Sequence, residues 1–215
     1  RGQEKLGFDI VRDTITIASV ESKVLDGNIG DIKISRFADD TGKLTTEAAN
    51  DFKSKNVSQV VLDVRSNPGG YLNSAVDVSC LWLKKGQTVL EEKRGGVVIK
   101  DYNCQQTGVL NGTKTVVLIN EGSASASEIT AGALKDNGAA TIIGTKSYGK
   151  GSVQEMTNMP GGNILKVTVA RWFTPNGKNI DKEGIMPDKN VELTDENIKN
   201  QQDPQLDEAL ILLKQ

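Results

Sequence analysis

The most informative feature of this 215-residue chain is an absence: it contains no histidine. That excludes Ser-His-Asp and Cys-His nucleophile activation, histidine metal ligation and an imidazole pH switch. Acid–base chemistry then falls to Lys, Asp, Glu, Tyr or Cys. The only cysteines are Cys80 and Cys104, too few for a disulfide framework and without a zinc spacing. They are either one bridge made in an oxidising compartment or two unrelated thiols, and their spacing leaves both open. Positive charge is not in excess, with 26 Lys+Arg against 28 Asp+Glu. No basic face is therefore expected to neutralise phosphates, and nucleic acid is not an expected partner. No apolar run approaches the ~18 residues that a membrane span needs. The chain opens at Arg1 without Met or a charged-then-apolar leader, so it is expected to be a fragment separated from its targeting segment.

What is present is a series of strand–turn–helix units. Residues 7–11 and 14–17 alternate as two short extended pieces, and residues 28–34 as a third. A helix is expected from Thr45-Thr46-Glu47 to about Ser54, with one of the two threonines as its cap. Val57 to Val64 then reads as a strand leading through Asn67-Pro68-Gly69-Gly70 into a helix from Leu72 to about Lys84. Thr115 to Ile119 repeats the pattern, turning at Gly122-Ser123 into a helix that ends near Asn137. The unbroken Val, Leu and Ile of both strands predict burial on two faces, as in a parallel sheet. Between the units, 88–93 and 97–102 flank Arg94-Gly95-Gly96 as a hairpin. A strand at 140–144, a second hairpin from 153–157 and 164–172, and a closing helix over 205–214 complete the reading.

In open α/β sheets, chemistry gathers at the carboxyl ends of the strands, where both small-residue turns fall. Gly69-Gly70 offers backbone N–H groups that no side chain shields, and a helix start adds more, aided by its dipole. Together they suit a developing oxyanion. Ser123, Ser125 and Ser127 offer three hydroxyls as nucleophile. Ser125-Ala126-Ser127-Glu128 also fits a capping box, a purely structural role. Without histidine a serine needs another base, and lysine is the usual substitute. A lysine base needs its pKa lowered by about 2–4 units, so it should be dry and lack a carboxylate partner. Lys150, between Gly149 and Gly151 with no acid nearby in sequence, fits best, and Gln154 is placed to orient it. Lys135, beside Asp136, and Lys146, at a strand end, compete. Residues 144–151 approach a phosphate loop, but Gly151 occupies the hydroxyl position and no helix follows, so nucleotide binding is not expected.

Four segments in order, Leu62-Asp63-Val64-Arg65-Ser66-Asn67-Pro68-Gly69-Gly70, Asn120 to Ile129, Gly144 to Gly151 and Gly184-Ile185-Met186-Pro187-Asp188, resemble the C-terminal processing (tail-specific) serine peptidases. The resemblance runs from about Ile10 to Lys214. It implies an α/β fold of the crotonase/ClpP-like superfold, a spiral of βα units with a mixed sheet. It implies Ser125 as nucleophile, Lys150 as general base and Gln154 as the lysine's support. The oxyanion donors it implies are the N–H groups of Ala126 and of the Gly69-Gly70 turn, Gly69 first. Glu128 and Asp136 match acidic positions and read as structural. No cofactor or metal is implied. Substrates would be proteins or peptides with small or apolar C-terminal tails, the location extracytoplasmic, and a homo-oligomer of the full-length protein stays open. Family members usually carry a PDZ domain before the core. Residues 1–18 are expected to be the remnant of its last strand and linker, with 19–215 the catalytic core. Two rivals remain: a non-catalytic peptide-binding or scaffold module on this fold, and a crotonase-type acyl-CoA enzyme.

Overall fold

A computed structural model of the chain describes residues 17–215. The strand expected at 7–11, residues 14–16 of the next one and nearly all of the expected PDZ remnant lie outside the described residues, and Ile17 itself is in no strand. In chain order the strands are β1 (Val20–Leu25), β2 (Ile29–Ile34), β3 (Gln59–Asp63), β4 (Thr88–Arg94), β5 (Val97–Asn103), β6 (Lys114–Ile119), β7 (Thr141–Gly144), β8 (Ser152–Asn158), β9 (Ile164–Phe173) and β10 (Lys189–Asn190). The helices are α1 (Thr41–Ser54), α2 (Leu72–Cys80), α3 (Ala126–Asp136), α4 (Asp195–Lys199) and α5 (Pro204–Lys214).

The main sheet runs β1-β2-β3-β6-β7-β10, parallel throughout except for β1, which pairs antiparallel with β2. Val60 and Leu62 of β3, with Val117 and Ile119 of β6, face a core shared with α1, α2 and α3. The intervening Val61, Val116 and Leu118 face α5 through Ala209 and Leu213. Two-sided burial is why these strands read as continuous apolar runs. Each such side chain, removed fully from water, contributes about 1.5–3 kcal/mol. The two expected hairpins join through β4–β9 pairing into a second, antiparallel sheet ordered β5-β4-β9-β8.

Several boundaries differ from expectation. The α1 helix opens at Thr41, so neither Thr45 nor Thr46 caps it. Their hydroxyls instead donate back to the carbonyls of Thr41 and Gly42, both at 2.8 Å, inside the helix. The α2 helix stops at Cys80 rather than Lys84, where a disulfide ties Cys80 to Cys104 just beyond β5, with a Cα–Cα distance of 5.4 Å. The strand β1 gave no clear signal because it is an edge strand with only Val20 buried.

Candidate active site

The β3 and β6 strands are parallel neighbours, Asp63 opposite Leu118, so the turns that follow them face one another. After β6 the chain turns through Asn120 to Ala124 and enters α3. At its start Ser125 adopts φ 55° and ψ −114°, a left-handed corner unusual for a residue other than glycine. The three candidate serines differ in what they bond. Ser123 Oγ donates to the Val64 carbonyl (2.8 Å) and accepts the Asn120 N–H (3.0 Å). Ser127 Oγ donates to the Asn67 carbonyl (2.9 Å). The Ser125 hydroxyl, on a residue 6% exposed, donates to no carbonyl among the described residues. The expected capping box is present here: the Ser125 side chain faces the Glu128 N–H and the Glu128 side chain takes the Ser125 N–H, while the Glu128 N–H makes its hydrogen bond to the main-chain oxygen of Ser125 (2.9 Å).

The Gly69-Gly70 turn packs directly on this corner. A Cβ added to Gly69, whose φ is +99°, would lie 2.7 Å from Ser125 Cβ and 3.0 Å from the Ala126 nitrogen. No side chain fits there, which explains the glycine. The Gly69 N–H itself is donated to Asn67 Oδ1 (2.9 Å). This departs from the expectation that Gly69 leads as oxyanion donor, since its hydrogen bond is already made locally. Gly70 forms a parallel bridge with Phe37, built from Phe37 N–H to Gly69 O (2.9 Å) and Tyr71 N–H to Phe37 O (2.8 Å). The N–H of Gly70 therefore faces the opposite edge, and like that of Ala126 it meets no acceptor among the described residues.

Glu128 joins the Ser125 corner to the glycine-flanked loop. Its fully buried carboxylate accepts the Ser125 N–H (2.8 Å), the Ser147 hydroxyl (2.6 Å), and the N–H groups of Gly149 (2.6 Å) and Lys150 (2.8 Å). Four donors satisfy a charge that burial would otherwise make costly. Because the Ser125 and Lys150 N–H groups share the single oxygen Oε2, the two main chains lie side by side. Ser147 Oγ in turn accepts the Ile185 N–H (2.6 Å), which is how Gly184–Asp188 braces the loop. Asp188 also accepts the Ile142 N–H (2.8 Å) and pairs with Lys135 (2.8 Å).

The Lys150 side chain departs from expectation. The residue is exposed, and its ammonium has no hydrogen-bond or ion-pair partner among the described residues. The dry setting expected for it is absent in this conformation, because the loop is fastened by backbone groups while the flexible lysine side chain is not held. Gln154, on β8 beside a bulge, is exposed as well, and no hydrogen bond joins it to Lys150 among the described residues. Of the competing lysines, Lys135 is engaged by Asp188 and the Met186 carbonyl, and Lys146 is exposed. Asp136 accepts the Asn176 N–H (2.9 Å), a structural bond.

Behind the first turn, Arg65 makes a two-point contact with Asp63 and another with Asp203 at the start of α5, and also reaches Gln205. Burial opposes the Arg65 charge, but hydrogen bonds to Asp203 and Asp63 outweigh it and hold the guanidinium pKa above its ordinary value. Burial likewise pushes the Asp203 carboxyl up, yet the Arg65 hydrogen bond outweighs it, leaving that pKa below the usual range. Asn67, Asn120 and Ser147 were not singled out from the sequence. Their position next to glycine turns is the signal that could have found them, since Asn and Ser side chains commonly bond nearby backbone.

A doubly covered parallel sheet with paired turns at its carboxyl ends, one bearing a strained serine and the other two glycines, defines a hydrolase-like α/β class of site. The chain belongs to peptidase family S41, which it matches over residues 28–191. It is 38% identical over 196 residues to the carboxy-terminal processing protease CtpA of Bacillus subtilis (strain 168), covering 90% of this chain and 41% of that protein. The chain thus spans about two-fifths of that relative's length. Its fold matches the photosystem II D1 C-terminal processing protease with a TM-score of 0.77 at 30% identity, over 84% of this chain and 50% of the other. The tricorn protease, at TM-score 0.53 and 21% identity over 87% of this chain and 18% of its own, shares the fold. The mixed α/β architecture expected from the resemblance is therefore the observed one.

Proposed function

We propose that the protein hydrolyses peptide bonds near the C-termini of proteins by a serine–lysine mechanism. In this reading the Lys150 side chain folds inward when substrate covers the site, and its neutral amine takes the proton of Ser125 Oγ. The oxygen attacks the scissile carbonyl carbon. The resulting oxyanion is held by the N–H groups of Gly70 and Ala126. Lys150 then gives its proton to the departing amine, leaving an acyl-enzyme on Ser125. A water that Lys150 deprotonates hydrolyses this ester and regenerates the hydroxyl. Gln154 orients the lysine amine without neutralising it. The single observation that carries the proposal is the Ser125 corner: an unengaged hydroxyl at a strained helix start, packed against two glycines.

Cleavage near the C-terminus is supported by relatives that are named for C-terminal processing, and substrates with small or apolar tails are part of the same reading. An extracytoplasmic location is part of the same reading. It is supported by the Cys80–Cys104 disulfide, which persists in oxidising compartments. Among the described residues no helix is long and apolar enough to cross a membrane.

The test compares the full-length protein with Ser125→Ala and Lys150→Ala on an unstructured protein ending in apolar residues. Loss of cleavage in both variants is expected, and equal cleavage by wild type and Ser125→Ala would end the proposal. The exposed Lys150 favours a second reading, a peptide-binding module without turnover. A fluorophosphonate probe separates the two, since only the peptidase labels at Ser125.

A further inference from the structure

We infer that Asn67 is the positioning residue of the oxyanion turn, setting which glycine N–H faces the nucleophile; the inference rests on the Ser125 reading above. The Asn67 side chain is completely buried. Its Nδ2 donates to the carbonyl of Ile34, the last residue of β2, at 2.8 Å, which anchors it to the sheet. Its Oδ1 accepts the Gly69 N–H at 2.9 Å. Its main-chain oxygen accepts the Ala124 N–H (3.0 Å) and the Ser127 hydroxyl (2.9 Å), one residue before Ser125 and two after it. One residue thus fastens the end of β2, the glycine turn and the chain on both sides of Ser125.

The consequence for catalysis is directional. With the Gly69 N–H drawn onto Oδ1, the turn has one conformation, and the N–H it leaves toward the site is that of Gly70. Remove Oδ1 and a buried donor loses its acceptor, a penalty the turn relieves by rotating its flexible glycine peptides. That rotation takes the Gly70 N–H off the line to the carbonyl oxygen. The loss then falls on the transition state and not on substrate binding, because the oxyanion forms only during reaction.

The experiment uses the full-length protein with Asn67→Ala, which removes the acceptor for Gly69, and Asn67→Asp, which keeps that acceptor and puts an oxygen in place of the donor to Ile34. Asn67→Ala is expected to lower kcat by about 10²–10³-fold with KM changed less than about threefold, the signature of a missing oxyanion donor. Amide exchange at Gly69 should accelerate about tenfold or more in Asn67→Ala and stay near wild type in Asn67→Asp. Asn67→Asp should keep kcat within about tenfold of wild type. A merely structural residue would instead make kcat follow thermal stability in both variants. A folded Asn67→Ala with kcat near wild type, or equal falls in kcat for both variants, overturns the inference. If Asn67→Ala does not fold, Asn67→Asp decides: slow Gly69 exchange and retained kcat support the role, and fast exchange or a loss as large as that of a missing donor refutes it. Equal cleavage by wild type and Ser125→Ala would sink the serine reading, while the exchange at Gly69 would still judge the hydrogen bond assigned to Asn67.

Discussion

At the residue scale, the site is an arrangement of hydrogen bonds that leaves a few groups without acceptors. Ser123 and Ser127 are bound to carbonyls, the Gly69 N–H to a side chain, and Glu128 to four donors. What remains is the Ser125 hydroxyl and the N–H groups of Gly70 and Ala126. Adding a single methyl at Gly69 tests how closely these groups are packed. The added carbon would stand 2.7 Å from both the Ala124 carbonyl oxygen and Ser125 Cβ, at a backbone φ of +99°. Gly69→Ala should destabilise the protein by about 1–3 kcal/mol, read from urea unfolding. It should also cut cleavage by about 10²-fold or more by displacing the nucleophile, and wild-type turnover in a folded variant would refute that packing.

At the element scale, α2 carries the consequences of both its ends. It begins just after Gly70 and ends at the Cys80–Cys104 bridge, so a covalent tie and the glycine turn share one short helix. The bridge spans a separation of 24 residues, a closure worth about 3 kcal/mol in the chain-entropy account. The double variant Cys80→Ser/Cys104→Ser should lose about that much stability by denaturant titration, and reductant should have the same effect on wild type. Unchanged midpoints under reducing conditions would show that the bridge contributes little. Beyond Cys80 the carbonyls of Leu81 and Leu83 accept the N–H groups of Leu110 and Gly108, so tertiary hydrogen bonds take the place of a continued helix.

For the molecule as a whole, the Arg65 cluster couples the closing helix to the glycine turn after β3, with Asp203 at the start of α5 paired to the arginine that follows β3. The folded-state pKa of Asp203 is lowered, so its contribution is present above the unfolded carboxylate pKa of ~3.9 and is lost as pH falls through the folded value. Asp31 works in the opposite sense: burial raises its pKa against the pull of Lys23, so ionising it as pH rises costs folding stability. Urea unfolding of wild type and Asp203→Asn from pH 3 to pH 7 should therefore show a stability difference that is largest near neutrality. That difference should shrink toward the acid end, and one independent of pH would rule out the ionised pair as its source.

Much of this was legible in the chain itself. The absence of histidine directed the search to lysine, and buried apolar runs at 59–63 and 114–119 announced a doubly covered sheet because such strands have no solvent face to mark. Four ordered motifs pointed to the family and to Ser125, Lys150 and the glycine turn. What only the tertiary structure decided is which donors stay unengaged. The side chains of Asn67, Asn120 and Ser147 each bond a partner 33 to 54 positions away, and no local pattern encodes such distances. The pairing of Cys80 with Cys104 and the joining of two hairpins through β4 and β9 belong to the same class. Periodicity reports which face of an element is buried, while the partner of a buried polar atom is set by how the elements come together in space.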